Sequence, residues 1–139
     1  MKITELEINI IAVPQGYYLA QGISKDLNFK VGLPAVFEKA YTLKEKLLDK
    51  YVEVECGEAY LIDNVYSLVV KDSSYDNPDR DLLMKSLISM RDQMEENNTV
   101  KLAIPKLCCG KGGLYWDDVK TMIESVFTHT DAQILVCVQ

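Results

Sequence analysis

Three glycines within four residues, at positions 110, 112 and 113, stand between an apolar run that ends at Pro105 and an amphipathic run that opens at Trp116. A glycine-rich turn from strand into helix aims a row of backbone N–H groups, and the positive end of the helix dipole, at one spot. Such a spot suits phosphate. Glycines let the backbone approach an anion with no Cβ in the way. The pattern is not a Walker loop, because neither Ser nor Thr follows Gly110-Lys111. It also lacks the form of the dinucleotide fingerprint, which opens the first crossover of a sheet and not the last. A plain strand-to-helix connection is the alternative, although simple connections seldom need three glycines so close together.

Other reactive residues offer less. Asp117 and Asp118 follow Trp116; they could form a catalytic pair, but acids in a first helical turn ordinarily complement its dipole. The four cysteines, at 56, 108, 109 and 137, contain no Cys-x-x-Cys pair, and the single His129 lies away from them. That spacing argues against a tetrahedral zinc site and for buried, reduced thiols in a cytoplasmic protein. Neither a metal, a cofactor nor a disulfide is expected.

The elements that must position the glycine loop can be read from periodicity. Alternation from Ile3 to Ala12 predicts a first strand that ends at Pro14, and Tyr17 to Ile23 a second. Leu33, Val36, Phe37, Ala40, Leu43, Leu47 and Leu48 form a stripe that predicts one helix from Gly32 to about Lys50. Three short strands are expected near 51–56, 59–62 and 66–70, then a helix from Pro78 to about Glu96, a strand over 100–104, a helix over 116–127 and a last strand over 134–138. This order predicts one domain, residues 1–139, of the α/β class, with a mixed sheet between helix layers. The loops Ser24–Val31 and Asp72–Asn77, like the glycine loop, follow strands and precede helices. All three should gather at the strands' carboxyl ends, where ligands bind in such sheets.

A formal charge of −6 argues against a duplex-DNA surface, which needs a basic face, without excluding a local basic pocket. No apolar run reaches the 18 residues of a membrane span, and the first residues do not read as a signal peptide.

Three segments resemble the macro domain family, which has a three-layer α/β/α fold and binds ADP-ribose. They are Ile104 to Trp116; Leu19-Ala20-Gln21-Gly22-Ile23-Ser24 through Gly32-Leu33-Pro34-Ala35-Val36-Phe37; and Leu68-Val69-Val70-Lys71. The likeness is greatest to the branch of ADP-ribosyl protein glycohydrolases and O-acetyl-ADP-ribose deacetylases, and extends to antitoxin macro domains that strip ADP-ribose from DNA. The resemblance implies that Ile23, Ser24, Gly32, Leu33, Cys109, Gly110, Lys111, Gly112, Gly113, Leu114 and Tyr115 line the ligand cleft, with Gly110 to Leu114 offering backbone donors. It aligns Asn9 with the aspartate that reads the adenine amino group, and Cys137 with an aromatic that stacks on adenine. It implies that Lys71 is catalytic at C1″ of the distal ribose.

That role is chemically coherent, because a desolvated primary amine is a nucleophile toward masked carbonyls. A surface lysine closing an edge strand is the alternative. Gly112 stands where the glycohydrolases carry an acid, as it does in the antitoxin relatives. Lys30 and Val31 replace small residues of the family's loop; Lys30 either adds a cation to the cleft or extends into solvent. Asp72, Asp76 and Asp79 offer a base or serve the turn and cap. Tyr75 and Tyr115 could flank the ligand. The function implied is hydrolysis of an ADP-ribose conjugate at C1″ or deacylation of O-acyl-ADP-ribose, from protein or nucleic acid. A non-catalytic binder of such nucleotides is the second reading.

Overall fold

The computed structural model describes all residues, 1–139. Six strands form one sheet: β1 (Lys2–Glu7), β2 (Tyr18–Ser24), β3 (Ala59–Ile62), β4 (Val65–Lys71), β5 (Lys101–Ile104) and β6 (Gln133–Val138). Their order across the sheet is β1-β6-β5-β2-β4-β3, and only the β3–β4 pair is antiparallel. Four helices, α1 (Gly32–Tyr41), α2 (Leu43–Lys50), α3 (Arg80–Glu96) and α4 (Trp116–Phe127), cover the two faces.

Each face buries its own core. Leu83, Leu87, Met90 and Met94 of α3 pack with Met122, Ile123 and Phe127 of α4 onto Tyr66, Leu68 and Val70. On the other face Phe37, Leu43 and Leu47 pack onto Leu19, Ile23, Val65 and Val69. Alternate residues of β2 and β4 thus feed opposite cores, and both strands are buried almost throughout. This is the three-layer α/β/α architecture with a mixed sheet.

Three sequence expectations fail locally. β1 stops at Glu7, and Ile10–Ala12 is a 3-10 turn whose first N–H groups are capped by Asn9, with Oδ1 accepting from the Ile11 N–H at 3.0 Å. The long helix breaks at Thr42, which adopts φ 55° and ψ 50°; Glu38 bridges the break by accepting the Thr42 N–H on its carbonyl and the Lys44 N–H on its carboxylate. The bend leaves Leu43 and Leu47 fully buried, which one straight helix would not have to do. Residues 51–56 form no strand. Only Val54 there is buried, while the Tyr60 hydroxyl accepts the Glu55 N–H at 2.7 Å. The expected meander is therefore a single hairpin, turning at Asp63 with φ 53°.

Candidate functional site

Strands β2, β4 and β5 are neighbours and parallel, so their carboxyl ends, at Ser24, Lys71 and Ile104, lie together. The chain leaving them encloses a cleft of about 430 Å³. Gly22 is among its lining residues, and a Cβ there would make ordinary contact with Cys108 Sγ and a Val70 methyl. Lys71 and residues 74–78 line one side; Pro105 to Lys111 and Gly113 line the other.

The wall after β5 is folded by its own main chain. The Cys109 N–H donates to the Lys106 carbonyl at 3.2 Å, Gly113 to Gly110 at 2.9 Å, and Leu114 to Cys108 at 2.7 Å. This winding places Cys108 at φ 61° and Gly112 at φ 75°. It also brings the Cys108 carbonyl so near residue 113 that a Cβ there would sit 2.2 Å from the oxygen; only glycine fits. The N–H groups of Gly110, Lys111, Gly112 and Tyr115 make no hydrogen bond within the chain, and these four residues are exposed. They are the donors open to an anion. Gly113 and Leu114, expected above as donors, instead spend theirs on closing the loop.

Beyond the loop, the Trp116 indole N–H donates to Glu5 Oε1 at 2.7 Å, and Lys106 Nζ stands 5.9 Å over the same ring, fastening the wall to β1. Tyr115 caps α4 with no side-chain hydrogen bond, and Asp117 and Asp118 occupy its first turn, outside the cleft, where they complement the dipole.

The opposite wall is held by side chains. Lys71 is half-buried, and its Nζ donates to the Ser74 carbonyl at 3.3 Å. Ser24 is buried and gives its hydroxyl to Asp26 Oδ1 at 2.5 Å, away from the lining of the cleft. Ile23 lies in the core beneath. Asp76 is the one carboxylate among the lining residues; Asp72 accepts the Cys56 thiol at 3.4 Å, and Asp79 caps α3 through the Asp81 and Leu82 N–H groups. The walls approach where a Cβ on Gly112 would lie 3.0 Å from Asn77 Oδ1. Tyr75 and Tyr115 are both largely exposed, and Tyr75 lines the cleft.

A second hollow of about 300 Å³, lined by Ile8, Ile10, Cys137, Val138 and Gln139, shares Leu33, Pro105 and Lys106 with the cleft. The two make one groove, polar at the Lys71 end and apolar at the other. Asn9 sits between Ile8 and Ile10, with its oxygen already serving the Ile11 N–H. Gly32, at φ 69°, opens α1 beside Leu33. Lys30 does not reach the groove; it lines a separate hollow with Glu38 and Lys44.

Burial pushes the Cys108 thiol up to about 12, against the pull of nearby Lys71, and raises that of Cys109 too. Neither is an activated nucleophile. No group of three or more His, Cys, Asp or Glu side chains is arranged to hold a metal. A hollow of about 370 Å³ at the sheet's other end includes His129 and Arg91, but the Arg91 guanidinium is already committed to the Val126 carbonyl and Asp92. Asp26 and Asn77 fall within the loops expected here and Lys106 within the glycine segment, but none of the three was singled out as a site residue; Asn77 and Lys106 line the cleft. Lys106 stands next to Pro105, four residues before the first glycine of the run; Asp26 and Asn77 lie in loops expected at this end of the sheet, with no local signal of their own role.

No family model matches the sequence. ADP-ribose glycohydrolase OARD1 of Homo sapiens is 30% identical over 139 residues, spanning 97% of this chain and 90% of that protein. Among solved structures, the macrodomain of Thermus aquaticus DarG matches with a TM-score of 0.86 at 17% identity, over 99% of this chain and 98% of that one. Thermosipho africanus DarTG in complex with ADP-ribose matches with a TM-score of 0.80 at 16% identity, over 99% of this chain and 42% of that one. No helix is long and apolar enough to cross a membrane. The sequence relative spans almost the whole chain, and the solved folds agree with the sheet and its helix layers: this chain belongs to the macro domain family.

Proposed function

We propose that the chain binds ADP-ribose in the groove and hydrolyses an ADP-ribose conjugate at C1″, with Lys71 as the catalytic residue. One observation carries this: Lys71 lines the same cleft as Gly110 and Lys111, whose exposed N–H groups make no hydrogen bond within the chain. The glycohydrolase relative and the ADP-ribose-bound DarTG fold support the ligand class. The diphosphate would accept from the Gly110, Lys111 and Gly112 N–H groups, as charge-assisted bonds that outweigh neutral ones. Adenosine would extend past Leu33 and Pro105 into the apolar end. Without an aromatic at Cys137, it is held there by contact and not by stacking.

In the reaction, the amine of Lys71 displaces the acceptor's carboxylate from C1″, and the proton lost by the nitrogen passes to the departing group. The glycosylamine opens to an imine. Water then adds to the imine, and ADP-ribose and the amine are released. Asp76, whose Oδ2 accepts the Ser73 N–H at 3.1 Å, is the lining carboxylate that would assist that water. Deacylation of O-acyl-ADP-ribose would use the same groove.

A specific observation favours the second reading, a non-catalytic binder. Position 112 carries no acid, and its φ of 75° with Asn77 at 3.0 Å from a Cβ disfavours any side chain there. Incubation with ADP-ribosylated glutamate peptide and with O-acetyl-ADP-ribose separates the two. The enzyme reading expects product from wild type and a loss on the order of 10²-fold or more in Lys71→Ala. ADP-ribose binding without turnover in either protein would leave only the binder.

A further inference from the structure

Asp26 does not line the cleft, yet its carboxylate joins the two loops of the wall that carries Lys71. Its Oδ1 accepts the Ser24 hydroxyl at 2.5 Å and the Asn28 N–H at 3.2 Å; its Oδ2 accepts the Ser74 N–H at 3.0 Å. Asn28 Nδ2 adds a bond to Ser74 Oγ at 3.0 Å. The main chain runs alongside, with the Lys25 N–H on the Lys71 carbonyl at 2.9 Å and the Asp26 N–H on the Asp72 carbonyl at 3.2 Å. Ser24 and Lys71 are register partners at a bulge in the β2–β4 pairing. Ser74 is therefore gripped at its N–H and its hydroxyl by the loop after β2, while its carbonyl accepts the Lys71 amine.

A turn aspartate needs donors only from its own loop, and the Asn28 N–H already serves that purpose. The bond to Ser74, 48 residues distant in sequence, serves no turn of its own. Its effect is to fix the one carbonyl on which the Lys71 amine rests. The Ser24 hydroxyl, with the Ser74 and Asn28 N–H groups, holds the Asp26 carboxyl below the usual carboxylate range, so the charge is present whenever the bonds are needed.

We infer that Asp26 is a positioning residue for Lys71, acting through Ser74 to hold the amine toward the cleft. This rests on the catalytic assignment of Lys71 above. The wall that would hold the diphosphate shares no hydrogen bond with this network, so positioning and binding separate.

The test compares wild type, Asp26→Ala and Asp26→Asn by turnover, by ADP-ribose affinity, and by competitive acylation of lysines read by mass spectrometry. Asp26→Ala is expected to lower kcat on the order of 10- to 100-fold, because small misplacements of a reacting group cost that much. Its Kd for ADP-ribose should stay within about threefold, the pattern of a group that acts on the reacting centre. Acylation of Lys71, measured against Lys111, should rise about threefold or more, as expected from the loss of one net hydrogen bond. Asp26→Asn keeps one acceptor oxygen, should fold where the alanine variant does not, and should fall between.

Wild-type values of kcat, or of Lys71 acylation, in folded Asp26 variants would overturn the inference. So would a loss of kcat matched by an equal loss of ADP-ribose affinity, which would mean general collapse of the cleft. If Lys71→Ala is inactive while Asp26→Ala keeps the wild-type kcat, the inference fails and the hydrolase reading stands. If wild type turns over neither substrate, the hydrolase reading fails, and the acylation ratio still decides whether Asp26 orients the amine.

Discussion

From Pro105 to Tyr115 the groove is walled by main chain: three backbone hydrogen bonds and a glycine that no Cβ could replace set its shape, and four N–H groups are left open. Facing it, the wall from Ser24 to Asn77 is tied by side chains, with the Asp26 carboxylate at the centre and the Lys71 amine at the end of the chain of bonds. The first wall can present donors to an anion but holds no catalytic group. The second holds an amine and a carboxylate but spends its donors on itself. Binding and chemistry are therefore divided between the walls, and substitutions in each should move different observables.

The largest effect on binding should come from Gly113→Ala. Its Cβ would meet the Cys108 carbonyl at 2.2 Å, so the loop must unwind and its open donors disperse. Loss of about two charge-assisted hydrogen bonds predicts ADP-ribose affinity weakened on the order of 100-fold by calorimetry. Gly110→Ala, where a Cβ meets nothing within 4 Å, should leave affinity within about twofold. Equal effects of the two would break the view that this wall works through main-chain shape.

The side-chain wall should show itself in acid. Because the folded-state value of Asp26 is depressed, its contribution to stability is whole above about pH 4 and disappears as pH falls through the lower folded value. Thermal melts of wild type should therefore lose more on going from pH 5 to 3 than melts of Asp26→Asn. Parallel curves would remove Asp26 from the centre of that wall.

Smallest is Lys111→Ala, the removal of an exposed cation beside the open donors. Affinity should fall about two- to fivefold at low salt, and by less as salt rises. A salt-independent loss would mean that the side chain makes a specific bond to the ligand.

The main-chain wall was largely legible in the sequence, since glycine spacing, Pro105 and the stripe opening at Trp116 are local signals. The gathering of the three loops was legible too, because strand-to-helix order dictates which sheet end they share. The division of labour inside the loop was not. That the Gly113 and Leu114 N–H groups turn inward follows from the winding at Cys108, which composition does not encode. Asp26 escaped notice because its partner is 48 residues away and its own loop reads as an ordinary polar turn. The break at Thr42 was hidden by an apolar stripe that continues in phase through it, and Asn9 ended the first strand by capping a turn where hydrophobic alternation ran on.

A crystal structure with ADP-ribose tests the shared groove most directly. Diphosphate oxygens are expected about 3 Å from the N–H groups of at least two of Gly110, Lys111 and Gly112, with the Lys71 amine the nearest lysine nitrogen to C1″. Diphosphate bound away from that loop, or a distal ribose turned from Lys71 toward solvent, would contradict this.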